Sequence, residues 1–238
     1  MGEMMKTTDS RPTENAPIQT ALQATPSAIP SRLWNVLALG DSARLCQPSV
    51  PLMIYQNVTG GGETESTRRN GREAYQDYGF TPRALVDTST RATSVELFGK
   101  TYSAPFAIGP LGGAAFVAYR ADLALAFAAK ACNIPMILSA SSLIRLEDVQ
   151  KANPDVWFQG YLAGDFERIS RMLDRVEAAG YKNLVVTVDT PILGNREHNI
   201  RSGFSMPIRI TPRVMLQSAT HPRWLLMTVA QTFLKHGA

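Results

Sequence analysis

Polar side chains that could do chemistry crowd together just after an apolar run, Leu184–Val186 with Val188. Asp189 could orient a histidine acting as a general base, and the planar guanidinium of Arg196 suits a carboxylate. The polar residues of the stretch are Thr187, Asp189, Thr190, Asn195, Arg196 and Glu197. A short apolar run without alternation predicts a buried parallel strand. These groups would then follow its carboxyl end, and an ordinary polar loop is the alternative interpretation.

Three earlier apolar runs also end in small or polar residues. The runs are Phe106–Ile108, Met136–Leu138 and Val156–Phe158, and they are followed by Pro110-Leu111-Gly112, by Ser139, and by Gln159 with Tyr161. Glycine at 112 and 113 lets backbone N–H groups approach a ring or phosphate closely. The side chains of Ser139, Gln159 and Thr187 can hydrogen-bond the edge of a flat heterocycle. No G-x-G-x-x-G sequence follows these runs, which argues against a Rossmann nicotinamide site.

Strand-like runs and helical stretches alternate from about residue 104 onward, which indicates a parallel α/β fold. The strongest helix prediction is Asp165–Ala179, which Asp165 can cap and Gly180 can end. Its apolar face is predicted to be Phe166, Ile169, Leu173 and Val176. The strands are predicted at Ala104–Gly109, Met136–Ser139, Trp157–Gln159 and Leu184–Val188, parallel and adjacent in that order. In a barrel their carboxyl ends would converge on one face.

Further elements are predicted around this core. Helices are expected near Asp122–Cys132, with Leu123, Phe127 and Ala131 on the apolar face, and near Leu143–Lys151. A helical cap over Arg32–Val58 and a small hairpin within Phe80–Ala104 should precede them. Gly60, Gly61 and Gly62 follow the cap. Three glycines can cradle phosphate, but no strand precedes them and no lysine follows, so a helix stop is preferred.

Composition limits the classes of function. The 238-residue chain carries a net charge of +4 without any Lys/Arg block, which disfavours nucleic acid as a partner. Cys46 and Cys132 show neither metal-ligand spacing nor a disulfide framework. They indicate a reducing compartment. A cytoplasmic location is expected, with a peripheral position at the inner membrane as an alternative. No apolar run reaches transmembrane length. Residues 1–31 predict a disordered leader before one domain at 32–238.

The order and spacing of these stretches resemble the FMN-dependent 2-hydroxy acid dehydrogenases and oxidases, such as lactate and mandelate dehydrogenases and glycolate oxidase. The matching stretches are YQNVTGGGETE, FTPRALVDTS, FAIGPLGG, ILSASS, DVWFQGYL and LVVTVDTPILGNRE. They run from about Arg32 to the end of the chain, and HPRW at His221–Trp224 is most similar to the mandelate dehydrogenase branch. The resemblance implies a (β/α)8 TIM-type barrel with FMN at the carboxyl ends of its strands.

The resemblance also implies roles for individual residues in oxidising a 2-hydroxy acid to the 2-oxo acid. The backbone of Pro110, Leu111 and Gly112 would lie against the flavin, and Ser139, Gln159 and Thr187 would contact its edge. Tyr161 would hydrogen-bond the substrate, Arg196 would hold its carboxylate, and Asp189 would partner the catalytic histidine. Oxidases of the family often carry alanine at the position of Gly112, which favours a dehydrogenase. The resemblance leaves the oligomeric state open, a homo-oligomer included.

Two departures from the family pattern affect these expectations. Asn57 stands where the family has a substrate-contacting tyrosine. The chain also ends at Ala238, so only the N-terminal half of the barrel is expected, with open sheet edges. His198, His221 and His236 do not follow a strand run, so none is predicted to be the catalytic base. The function is therefore either part of an FMN-dependent oxidoreductase or a non-catalytic fragment or interaction remnant. Arg196 and Tyr161 argue against another type of FMN barrel enzyme.

Overall fold

The computed structural model describes residues 33–162, 164–189, 192 and 194–236. Its helices are α1 (Leu39–Cys46), α2 (Leu52–Thr59), α3 (Ser66–Glu73), α4 (Ala121–Cys132), α5 (Leu146–Ala152), α6 (Phe166–Ala178), α7 (Glu197–Ser202), α8 (Pro212–Ala219), α9 (Pro222–Trp224) and α10 (Gln231–His236). A π-helical segment, Leu225–Ala230, joins α9 to α10, and 3-10 turns occupy Gln47–Ser49, Ala74–Asp77 and Ala114–Phe116. The strands are β1 (Val95–Leu97), β2 (Lys100–Tyr102), β3 (Ile137–Ser139), β4 (Trp157–Gly160) and β5 (Leu184–Val186). The leader predicted at 1–31 lies outside the described residues.

A parallel sheet forms the centre of the fold. Its strand order is β3-β4-β5, and both neighbouring pairs are parallel. A parallel bridge between Ile108 and Met136 continues the sheet beyond β3. The predicted order and direction of the strands are therefore confirmed. Since α4, α5 and α6 alternate with the strands along the chain, the described residues form part of a (β/α) barrel.

The first predicted strand, Ala104–Gly109, is reduced to a single residue in the ladder. The amide of Ile108 donates to Pro135 O at 2.9 Å, and Ile137 N donates back to Ile108 O at 2.9 Å. Pro105 and Pro110 bound this short segment, and proline has no N–H with which to continue a ladder. The prediction was right in direction and too long in extent.

Helix α4 packs on the sheet through small side chains. Ala126 and Ala129 are fully buried and belong to the main core with Leu138, Val149 and Phe158. Of the predicted face, Leu123 packs against this core, but Phe127 is 58% exposed and Ala131 is also exposed, so these two assignments were wrong. Apolar residues occur on nearly every side of this helix, so helical spacing alone could not identify the side that faces the sheet.

Helix α6 has the ends that the sequence predicts. The Asp165 carboxylate accepts a hydrogen bond from Arg168 N at 2.8 Å, and Gly180 follows the helix with φ of +91°. Val176 is buried and packs in the main core. Phe166 is 85% exposed, so its predicted place on the apolar face was wrong. Phe166 is the first helical residue, and the buried face of the helix begins only after it.

The hairpin of β1 and β2 lies against the amino end of β4. Trp157, the first residue of β4, donates from its indole Nε1 to the Tyr102 hydroxyl at 3.3 Å. The Phe98 ring packs edge-on against the same indole, with centroids 5.1 Å apart. Lys100 forms an ion pair with Asp155, just before the strand. The hairpin therefore lies at the end of the strand opposite to Gln159.

A second core joins the N-terminal helices to those that follow α7. Val50, Met53 and Ile54 from around α2 pack with Val214 of α8 and Trp224 of α9. The predicted helical cap is thus present from Leu39 to Thr59, as α1, a 3-10 turn and α2. None of the helices in the described ranges has the length and apolar character needed to cross a membrane.

Candidate functional site

A chain of hydrogen bonds connects three polar side chains at the carboxyl ends of β3, β4 and β5. Ser139 Oγ donates to Gln159 Oε1 at 3.1 Å. Gln159 Nε2 in turn donates to Thr187 Oγ1 at 2.9 Å. Ser139 and Gln159 are only 4% and 1% exposed, so the surrounding protein restricts the movement of these polar groups. We call this row of residues the polar edge.

The register of the sheet brings the polar edge together. Ser139 pairs with Gln159 across β3 and β4, and Gln159 pairs with Val185 across β4 and β5. Residues two apart on an extended chain point to the same face, so Thr187 follows the direction of Val185. The amide of Thr187 also donates to Gly160 O at 3.0 Å, which continues the ladder past the end of β5. The predicted neighbours therefore lie at the same end of the sheet.

The loop that carries Gly112 lies beside the polar edge. Gly113 N donates to Ser141 O at 3.2 Å, and Ser141 N donates to Ser139 Oγ at 3.1 Å. A Cβ atom on Gly112 would lie only 3.1 Å from Ser141 Cβ. Glycine at 112 therefore allows two backbone segments to approach closely. Ser141, whose amide helps to hold the Ser139 hydroxyl, was not among the residues predicted from the sequence.

Other predicted site residues occupy exposed positions around this end of the sheet. Leu111 is 51% exposed and Tyr161, which directly follows β4, is 46% exposed. Pro110 is also exposed. The described residues show no hydrogen bond from the Tyr161 hydroxyl to the polar edge. The loop between β4 and α6 therefore leaves the Tyr161 side chain accessible to a small molecule.

Asp189 and Arg196 lie further along the chain, after β5. Asp189 is exposed, two residues beyond Thr187. Arg196 is exposed and immediately precedes α7, where its carbonyl accepts a hydrogen bond from Asn199 N at 3.0 Å. The predicted Thr190 lies outside the described residues. The position of the Arg196 backbone therefore depends on the first turn of α7.

The histidines occupy helical regions. His198 lies in α7, where its Nε2 is buried and has no hydrogen-bond partner within the described residues. His221 Nδ1 lies 2.8 Å from Gln217 O, before α9. His236 Nε2 lies 3.0 Å from the hydroxyl of Tyr119, on which its ring stacks. Across the described ranges, no cluster of three His, Cys, Asp or Glu side chains could hold a metal ion.

Burial changes the acidity of a carboxyl group below the loop that follows β3. Asp122 is 2% exposed in the first turn of α4. Desolvation raises the pKa of its carboxyl group, and a hydrogen bond with Ser142 partly opposes this rise. One carboxyl oxygen, Oδ2, is buried and has no hydrogen-bond partner among the described residues. Asp122 therefore places a buried carboxyl group against the loop that follows β3.

The chain is similar to known proteins over most of its length. The sequence profile of the "FMN-dependent dehydrogenase" family matches residues 46–237. The chain is 35% identical over 204 residues to the (S)-mandelate dehydrogenase of Pseudomonas putida, covering 85% of this chain and 50% of that protein. It is 37% identical over 176 residues to an L-lactate oxidase of Lysinibacillus sphaericus, covering 73% of this chain and 45% of the relative.

A solved structure shows the same fold. A crystal structure described as the monotopic membrane protein (S)-mandelate dehydrogenase superposes with a TM-score of 0.77 and 34% sequence identity. The superposition covers 86% of this chain and 53% of that one. The chain thus spans about half the length of the relatives that it matches. The match over most of its residues shows that this chain belongs to the FMN-dependent dehydrogenase family.

Proposed function

We propose that this chain supplies the flavin edge and the substrate carboxylate contact of an FMN-dependent enzyme that oxidises a 2-hydroxy acid to the 2-oxo acid. The observation that supports this most directly is the polar edge, which places an amide between two hydroxyl groups at the carboxyl ends of parallel strands. In (β/α) barrels this is the end at which ligands bind. The family membership supports FMN as the ligand.

The chemistry of the polar edge fits the rim of a flavin. The Gln159 amide nitrogen carries two hydrogens, of which one is donated to Thr187. The hydroxyl of Thr187 accepts this bond and keeps its own hydrogen for another acceptor. Beside it, the backbone at Gly112 lacks a side chain that would hold a flat ring away. FMN, when bound, would accept a hydride equivalent from the α-carbon of the substrate.

The substrate contacts are proposed for residues outside the polar edge. The Arg196 guanidinium would bind the substrate carboxylate through two parallel hydrogen bonds. The Tyr161 hydroxyl would donate a further hydrogen bond to the substrate, and its exposure leaves it free to do so. Asp189 would orient an imidazole that takes the hydroxyl proton. The three histidines of this chain lie in or next to helices and not after a strand, so we assign that imidazole to none of them.

Enzymatic activity is best measured on a protein in which this chain is joined to the remaining strands of the family's barrel. With lactate or mandelate and an artificial electron acceptor, we expect turnover that depends on FMN. Gln159→Leu should lower FMN affinity, read from bound flavin absorbance, whereas the exposed Gln76→Leu should not. Absence of bound flavin in the unsubstituted protein with the completed barrel would refute the proposal.

A non-catalytic interaction remnant is the competing function. Apolar residues along β5 and its extension support it, because Leu184, Val186 and Val188 are 42%, 41% and 87% exposed. Exposed apolar strand residues invite association. A purified chain that binds no flavin, even when extended, but forms a stable homo-oligomer by light scattering would favour this alternative.

A cytoplasmic location with a peripheral position at the membrane is also proposed. The solved mandelate dehydrogenase is described as monotopic. In this chain the segment from Leu225 to His236 exposes Leu226, Met227, Phe233 and Leu234 at 54–85%. Exposed apolar side chains on a helix can enter a bilayer interface. Co-sedimentation with vesicles of anionic phospholipid should decrease in the double variant Leu226→Ser/Leu234→Ser. Unchanged co-sedimentation of this variant would refute the peripheral position.

A further inference from the structure

The segment that carries Arg196 is held against the end of helix α2 by contacts on both sides of that arginine. On one side, Glu63 N donates to Asn195 O at 3.0 Å. On the other, Asn199 Nδ2 donates to Asn57 Oδ1 at 3.1 Å, and the ring of His198 lies over Gly60. Arg196 therefore lies between backbone and side-chain contacts to a single short stretch, residues 57–63.

Gly60 provides the space for one of these contacts. Its φ and ψ are −83° and 153°, a conformation that any residue can adopt, so glycine is not required by the backbone. A Cβ atom at this position would instead overlap the imidazole of His198. A Cβ on Gly62 would lie 3.3 Å from Asn195 O, which is also tight. The helix stop predicted for the three glycines is present after Thr59. Gly60 also leaves room for the His198 ring of α7.

Asn57 fixes the first turn of α7. Its amide oxygen binds the side chain of Asn199, whose own backbone N–H donates to Arg196 O. A single asparagine thus connects α2 with the turn that begins at Arg196. A tyrosine at this position could not make the same amide-to-amide contact. Asn57 is therefore engaged with protein in this chain.

The far end of α7 is also attached to α2. The side chain of Gln217, from α8, accepts a hydrogen bond from Met53 N at 3.0 Å through its Oε1. Its Nε2 donates to Ser202 O, at the end of α7, at 2.9 Å. The start of α7 is thus bonded to α2 directly, and its end is bonded to α2 through Gln217. Displacing either contact would move Arg196, which precedes the helix.

We propose that Asn57 and Gly60 are positioning residues for Arg196, acting through helix α7. They set the place of the guanidinium by fixing the first turn that follows it, and they do not touch the substrate. The proposal depends on the proposed function in one respect, which is that Arg196 binds the substrate carboxylate. The positional effect itself can be measured without any activity.

The test uses the flavin-loaded protein that turns over 2-hydroxy acids. Gly60→Ala should raise KM about 10-fold with less than about 3-fold change in kcat, since a misplaced carboxylate contact weakens binding before and during the reaction alike. Hydrogen exchange of the amides at 194–202 should also become faster. The double variant Gly60→Ala/His198→Ala lacks the His198 ring, so its KM and its exchange rates should return to those of the unsubstituted protein. Gly71→Ala is the matched control, because nothing lies within 4 Å of a Cβ there.

Asn57 gives an independent second test if Gly60→Ala does not fold. Asn57→Leu should raise KM and accelerate exchange at 194–202, whereas Asn57→Asp keeps an oxygen for Asn199 and should preserve both. The proposal would be overturned if exchange and KM were unchanged in Gly60→Ala or in Asn57→Leu. It would also be overturned if the double variant were as impaired as Gly60→Ala. If Arg196→Lys leaves KM unchanged while exchange responds as expected, the proposed role of Arg196 fails and the coupling of α2 to α7 stands.

Discussion

Gln159 Nε2 donates a hydrogen bond to Thr187 Oγ1 across 2.9 Å, and this bond fixes the direction of the whole polar edge. With the nitrogen facing Thr187, the amide oxygen faces Ser139, whose hydroxyl donates to it at 3.1 Å. The three side chains thus share one pattern of donors and acceptors. A ligand at this edge would meet a preformed row of polar groups, held by a buried amide.

Thr187→Val tests the polar edge, because valine keeps the shape of threonine and removes the oxygen that Gln159 needs. The free energy of unfolding should fall by about 1–3 kcal/mol, since the amide loses a partner. FMN affinity should fall about 2- to 10-fold, as expected for one neutral hydrogen bond. Denaturant unfolding and flavin titration measure the two effects.

The control for that substitution is Thr101→Val on the exposed face of β2. It should leave both quantities within error. An unchanged stability and flavin affinity in Thr187→Val would show that the hydrogen bond with Gln159 has no role in either folding or flavin binding.

Arg196→Lys tests the substrate contact. One ammonium cannot replace a two-point guanidinium contact with a carboxylate, and a charge-assisted hydrogen bond contributes about 1.5–3 kcal/mol. We therefore expect a loss in kcat/KM on the order of 10- to 100-fold. Steady-state kinetics with a 2-hydroxy acid measures it, with the exposed Arg201→Lys as the comparison. Equal kinetics in the two variants would remove Arg196 from the site.

Asp122→Asn tests the buried carboxyl group that contacts the loop after β3. Burial raises the pKa of Asp122, so the folded state holds this proton more tightly than the unfolded state does. The free energy of unfolding should then fall as pH rises from the usual carboxyl range through the raised pKa. Asparagine carries no charge and keeps an oxygen for Ser142, so the variant should be more stable at neutral pH and depend less on pH.

Thermal unfolding between pH 4 and pH 8 measures this difference, with the exposed Asp174→Asn on α6 as the control. A variant that is less stable than the parent at neutral pH, with an unchanged dependence on pH, would show that the Asp122 charge is favourable in the folded protein.

The parallel strands and the polar edge could be predicted from the sequence, because apolar runs and the residues that end them are local signals. Ser139, Gln159 and Thr187 each follow such a run. Their hydrogen bonds also required the register, which the period of two along a strand supplies once the strands are adjacent.

Other parts of the site depend on contacts between distant segments and left no local signal. Asn57 and Asn199 are far apart in the chain, and each is an ordinary polar helix residue by pattern. Gly60 was predicted only as a helix end. Its contact with the His198 ring could not be predicted, because it forms only after α7 has packed. The buried side of α4 could not be identified, because small apolar residues occur all around that helix.

The most direct measurement is turnover by residues 1–238 alone. We propose that this chain supplies a flavin edge and a carboxylate contact but no catalytic base, which must lie within about 2.6–3.2 Å of the substrate hydroxyl. The purified chain, with FMN added, is assayed with lactate and mandelate and an artificial electron acceptor. We predict little bound flavin and no turnover. Robust FMN-dependent turnover by this chain would contradict the account, because one of its own residues would then have to take the proton.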